Sequence, residues 1–118
     1  MTSSWRVVES CEYSEWFSSL TEKQRAAVLV RVTWLLVRGP TAGRPYVDVL
    51  KGSTLSHLKE LRVSSSGQLR ILFVFSSNKA LVLLIGGDKS KSSQWNRWYV
   101  SAIREAERIY ELFEKDKK

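Results

Sequence analysis

Residues 57–85 hold three β-prone runs separated by two short polar breaks. His57–Val63 is amphipathic and charged, Gln68–Phe75 is apolar apart from Arg70, and Ala80–Ile85 is wholly apolar. The breaks Ser64-Ser65-Ser66-Gly67 and Ser76-Ser77-Asn78-Lys79 read as hairpin turns, because serine, asparagine and glycine accept the backbone angles that a tight reversal needs. Three strands linked this way make an antiparallel meander.

The flanking sequence reads as helices. Trp5–Val8 is a short first strand ending at Glu9-Ser10, and Ser10 can cap a short helix. Tyr13, Trp16, Phe17 and Leu20 then fall at i, i+3, i+4 and i+7, one apolar face. Thr21-x-x-Gln24 is a capping box that opens a long helix to about Arg38, which Gly39-Pro40 stops. Residues 39–56 read as a basic loop rich in glycine and proline. Gly86–Ser93 reads as a polar exit loop. A last helix, from about Gln94 to Phe113, carries an almost unbroken stripe from Trp95 and Trp98 to Tyr110 and Phe113. The order is β-α-α-β-β-β-α, an α+β domain with an antiparallel sheet packed against helices, and at 118 residues it is one domain over residues 1–118.

The net charge is +7 and lies in the middle of the chain. Residues 21–56 and 57–91 each carry six basic side chains against two acidic ones, whereas residues 1–20 carry one against three. A basic domain of this kind suits a polyanionic partner such as RNA or DNA. The single cysteine, Cys11, sits among Glu9, Glu12 and Glu15, which disfavour a thiolate, so it reads as structural and the compartment as reducing. No signal or membrane segment is expected, and the protein reads as cytoplasmic. One His and one Cys supply too few ligands for a metal centre, and Gly86-Gly87-Asp88-Lys89 lacks Walker spacing, so no cofactor is expected.

What remains is a set of basic groups around one sheet: His57, Lys59 and Arg62 on the first meander strand, Arg70 on the second, Lys89 and Lys91 beyond the third. Alternation puts Glu60 and Arg62 on one side of their strand, with His57 and Lys59 on the other. Such a set suffices for metal-free RNA cleavage, in which the ribose 2′-OH attacks the adjacent phosphate. Arginine and lysine can stabilise the phosphorane, Lys59 or His57 can act as the base, and Lys89 as the acid. Each residue also has a plainer reading. Arg70 can simply pair with Glu60, His57 can be a loop-end residue, and Lys89 and Lys91 can be solvated charges. The rings of Trp95, Trp98 and Tyr99 read mostly as core, with one of them able to stack on a base.

Several stretches together resemble the HigB-like branch of the RelE/ParE toxin superfamily. They are Arg44-Pro45-Tyr46-Val47-Asp48, Val47 to Ser53, His57-Leu58-Lys59-Glu60-Leu61-Arg62, Leu69 to Phe75, Gly86-Gly87-Asp88-Lys89 and Trp95-Asn96-Arg97-Trp98-Tyr99. The resemblance covers nearly the whole chain. It implies the toxin of a type II toxin–antitoxin pair, a RelE-like fold, and cleavage of messenger RNA on the ribosome. It implies Lys59, Arg62, Arg70 and Lys89 as catalytic candidates, with Lys51, His57, Lys91, Arg97 and Tyr99 as RNA contacts. It further implies a cognate antitoxin, helix-turn-helix and HigA-like, with a heterotetramer as one form of the complex. The alternatives are a ParE-like inhibitor of gyrase that binds rather than cuts, and an inactive module that only binds antitoxin.

Overall fold

The computed structural model describes residues 5–91 and 93–116. Its elements are β1 (Arg6–Glu9), α1 (Cys11–Ser19), α2 (Glu22–Arg38), β2 (Val47–Val49), β3 (Lys59–Val63), β4 (Leu69–Phe75), β5 (Ala80–Asp88) and α3 (Trp95–Asp116). The strands form one sheet in the order β1-β5-β4-β3-β2.

The apolar runs of β4 and β5 have a physical counterpart: both faces of the sheet are covered, so inward and outward positions alike must be apolar. On one face Leu69, Ile71, Phe73, Leu81 and Leu83 pack with Tyr13, Val28, Val32 and Leu35 of α1 and α2. On the other, Leu72, Val74, Val82 and Leu84 pack with Ala102, Ala106, Ile109 and Tyr110 of α3. Each such buried side chain contributes about 2 kcal/mol, which makes the β4–β5 pair the centre of stability.

The caps form where the side chains allow. Ser10 Oγ accepts from Tyr13 N at 2.9 Å and starts α1. Thr21 and Gln24 make the reciprocal capping box of α2, at 3.1 and 3.0 Å. Gly39 closes α2 at φ 68°, a left-handed conformation that costs glycine little.

Three features depart from the reading of the sequence. The first strand runs parallel to β5, pairing Arg6 with Ala80 through Glu9 with Leu83, so the sheet is mixed rather than wholly antiparallel. The stretch read as one loop contains β2, antiparallel to β3. Val47-Asp48-Val49 is too short, and too close to Gly43 and Pro45, for its pattern to stand out. Finally, β5 continues through Gly86 and Gly87 to Asp88. A bulge near Leu72 and Phe73 lets it do so, since Leu72 pairs with Ile85 but Phe73 with Leu83. The extra residue shifts the alternation and puts Gly87 on the α3 face. Ser92 of the exit loop lies outside the described residues, as do residues 1–4 and 117–118.

Candidate functional site

Alternation along β3 and β4 sends Glu60, Arg62 and Arg70 to the face that α3 covers. Arg62 and Arg70 are direct register partners on neighbouring strands. Glu60, only 2% exposed, sits between them. Arg62 Nε donates to Glu60 Oε2 at 3.0 Å, and Arg70 Nε lies 3.9 Å from Oε1. The buried Arg70 also donates from Nη1 to the Leu69 carbonyl at 3.0 Å, and its Nη2 reaches Gln68 Oε1 at 3.5 Å. From α3, the Tyr99 hydroxyl donates to Glu60 Oε1. A carboxylate taken out of water is tolerated only with such partners. Towards the sheet edge, Asp48 Oδ2 accepts from Arg62 at 3.3 Å and from Arg44 at 2.9 Å. The cluster therefore holds three guanidinium groups against two carboxylates.

Burial, reinforced by the bond to Glu60, raises the Tyr99 phenol above its ordinary pKa of 10.0. At neutral pH it is a hydrogen-bond donor and not a base.

The glycine pair fixes where Tyr99 stands. The Trp98 indole fills the space beside Gly87, and Trp16 of α1 fills the space beside Gly86. Trp95 stacks on Trp98 with ring centroids 4.2 Å apart. Large rings on one element meet residues without side chains on the other, so the start of α3 is pressed onto the end of β5.

The other candidate residues divide. Lys89 opens the 3₁₀ turn Lys89–Lys91, and its backbone N donates to the Gln68 carbonyl at 2.7 Å, next to Arg70 on β4. Lys89 and Lys91 are both exposed. Lys51 lines a cleft of about 440 Å³ with Tyr99, Val100, Ile103 and Arg104. The loop bearing it is tied to α3 through Glu107 Oε2, which accepts from Thr54 N at 2.8 Å and Ser53 Oγ at 2.9 Å. Those bonds, the Thr54 backbone N–H first, hold the Glu107 carboxyl below its ordinary pKa. Arg97 lies exposed on α3 and shares a shallow depression with Arg104. Arg62, Arg70 and Tyr99 thus meet around Glu60, Lys89 follows the end of β5 whose Gly87 pairs with Arg70, and Lys51, beyond the other end of the β2–β3 pair, reaches this set only through the cleft it shares with Tyr99.

Lys59 and His57 do not join them. Lys59 pairs with Phe73, whose ring belongs to the α1–α2 face, and its Nζ donates to the Pro40 carbonyl at 3.0 Å. His57 precedes β3 and meets Tyr110 edge to face at 5.9 Å. Tyr110 is eleven residues beyond Tyr99 on α3, about 16 Å along the helix. Sequence reasoning weighed Glu60 only as a partner for Arg70, and it missed Asp48, Arg44 and Arg104 as neighbours of the site. The usable signal was Gly86-Gly87 followed closely by Trp95 and Trp98. Among the described residues, no group of three or more His, Cys, Asp or Glu side chains is placed to hold a metal ion. No helix among them is long and apolar enough to cross a membrane.

A mixed sheet with two helices on one face and one on the other is a RelE-like fold. A mutant of the E. coli toxin RelE in the free state superposes with a TM-score of 0.64, at 14% identity, over 92% of this chain and 97% of that one. The family model described as Phage derived protein Gp49-like (DUF891) matches residues 15–111. Mycobacterium tuberculosis "Putative toxin HigB3" is 39% identical over 92 residues, 78% of each protein. "Putative toxin HigB2" of the same organism is 32% identical over 99 residues, 82% of this chain but about half (48%) of that protein. The chain belongs to this Gp49-like family of HigB toxins.

Proposed function

We propose that the chain is the toxin of a type II toxin–antitoxin pair and cuts messenger RNA on the ribosome. The observation that carries this reading is the pairing of Arg62 and Arg70 across β3 and β4, beneath the Tyr99 phenol. Two guanidinium groups side by side suit the non-bridging oxygens of one phosphate. The relatives' names supply the words toxin and, by implication, antitoxin.

In the proposed reaction the 2′-oxygen attacks phosphorus while its hydroxyl proton passes to a solvent water, and the bond from phosphorus to the 5′-oxygen breaks. Arg62 and Arg70 stabilise the charge that builds on the phosphorane. The Lys89 ammonium donates its proton to the departing 5′-oxygen. The products are a 2′,3′-cyclic phosphate and a 5′-hydroxyl. Glu60 is a positioning residue that aligns both guanidinium groups and the phenol. Lys51, Lys91, Arg97 and Arg104 hold flanking phosphates. The partner is an antitoxin of helix-turn-helix type, and the whole chain acts as one domain.

The test is to induce the chain and map messenger RNA 5′ ends, beside an Arg70→Ala/Lys89→Ala variant. In-frame cuts within translated codons, lost in the variant, are expected. Supercoiling defects with intact messages would overturn the reading in favour of a gyrase inhibitor.

A further inference from the structure

From Ala26 to Val37, α2 carries one charged residue, Arg31, and apolar side chains around its whole circumference. A helix apolar all round is ordinarily buried all round. Here only Val28, Val32 and Leu35 are buried, against the sheet. On the outward side Ala26, Val30, Thr33 and Val37, at i, i+4, i+7 and i+11, form a stripe with Leu29 beside it. Leu29 is 56% exposed, Val30 68% and Val37 77%. Scattered exposed apolar residues need no explanation, but a contiguous helical stripe of them marks an interaction surface.

The edge of this stripe is cationic and preorganised. The Arg31 guanidinium lies 3.6 Å from the centroid of the Tyr46 ring and 5.3 Å from that of Trp34. Arg38 stands 5.6 Å from the same Trp34 ring. Stacked in this way, both are held beside the stripe with little freedom left to lose on binding. The helix carries Lys23, Arg25, Arg31 and Arg38 against the single acid Glu22. A second copy of this chain docked about a twofold axis would bring the same surplus of positive charge against itself.

We propose that the outer face of α2 is the docking surface for an amphipathic helix of the antitoxin. Its apolar side covers Ala26, Leu29, Val30 and Val37, and its carboxylates face Arg31 and Arg38. This rests on the toxin–antitoxin reading but not on the assignment of a nuclease site, for α2 covers the sheet face opposite the Arg62–Arg70 cluster.

The experiment titrates the purified chain with the antitoxin of its own operon. Val30→Asp/Val37→Asp is expected to weaken binding by about 100-fold or more, the scale of losing a central anchor. Arg38→Glu should weaken it by about ten-fold and flatten its salt dependence, as lost charge complementarity does. Leu112→Asp, at an exposed position of α3, should bind as the parent does. Val30→Ser/Val37→Ser, with its melting curve, guards against misfolding and should show the same trend. Full affinity in both double variants would overturn the proposal. So would an antitoxin-free homodimer that Val30→Asp converts to monomer. Messenger RNA cleavage by the double variants should persist, and its absence from the parent chain as well would instead sink the nuclease reading.

Discussion

The Trp98 indole occupies the space that a side chain at Gly87 would need: a Cβ built there would lie 2.5 Å from Cζ2 of the ring. Both residues face the layer between β5 and α3. The ring cannot retreat freely, because Trp95 is stacked on it at 4.2 Å. Gly87→Ala should therefore destabilise the fold by about 2 kcal/mol, the usual cost of overpacking a filled core. Thermal denaturation measures it, and Trp98→Leu in the Gly87→Ala background should recover most of the loss. An unchanged melting temperature for Gly87→Ala would refute the close approach.

Glu60 makes a separable prediction for Arg70. Arg70→Ala leaves a buried carboxylate short of one cation, which costs about 3 kcal/mol. Adding Glu60→Gln removes the stranded charge and should return much of the stability. If Arg70 stabilises the phosphorane as proposed, RNA cleavage should stay lost in both variants, by about 10²-fold or more. Urea midpoints and cleavage assays on programmed ribosomes read the two effects independently.

Tyr99→Phe keeps the ring and deletes only the hydroxyl donor. The loss of one hydrogen bond to a buried carboxylate should cost about 1–3 kcal/mol in the melting equilibrium. Cleavage should fall about ten-fold if Glu60 then tilts away from the two guanidinium groups. Far-ultraviolet dichroism identical to the parent's would confirm that the helix itself is intact.

Lys89 and Lys59 should separate by function. Lys89 is exposed on its turn, so Lys89→Ala should leave stability within about 0.5 kcal/mol of the parent. Its cleavage rate should nevertheless drop about 10²-fold if Lys89 is the proton donor proposed above. Lys59→Ala, on the opposite face and bonded to the Pro40 carbonyl, should cleave at the parental rate. Equal losses at both positions would mean that the site extends across the sheet.

Alkaline pH should weaken the fold. Tyr13, Tyr99 and Tyr110 all have their phenols raised above 10.0, burial being the first cause for each. The folded protein thus holds these protons more tightly than the unfolded chain does. Their stabilisation is complete below pH 10 and is lost as pH rises past 10 towards the folded values. Urea midpoints measured across pH 9–11.5 should fall, and Tyr99→Phe should make the decline shallower.

The helices and the meander were legible because their signals are local. Ser10, the Thr21–Gln24 box and Gly39 each mark an end within one turn. Alternation alone placed Glu60 and Arg62 together. The rest depends on pairing that no local pattern encodes. The bulge opposite Leu72 decides which face Gly87 takes, and the bulge is invisible in an apolar run. His57 read as a strand residue on the same side as Lys59, but β3 begins only at Lys59, so alternation does not apply to it. Asp48 was unreadable as a partner of Arg62 until β2 was known to exist.

The parallel pairing of β1 with β5 joins Arg6 to Ala80, strands separated by most of the chain. Tyr99 lies farther along still. During synthesis the first strand must therefore wait, with its edge unpaired, until β5 has been made. The phenol that completes the cationic cluster arrives only with α3. A growing chain consequently carries this cluster in pieces: Arg62 and Arg70 can pair as soon as their hairpin forms, but Glu60 gains its third partner only once α3 has been made and has docked on the sheet.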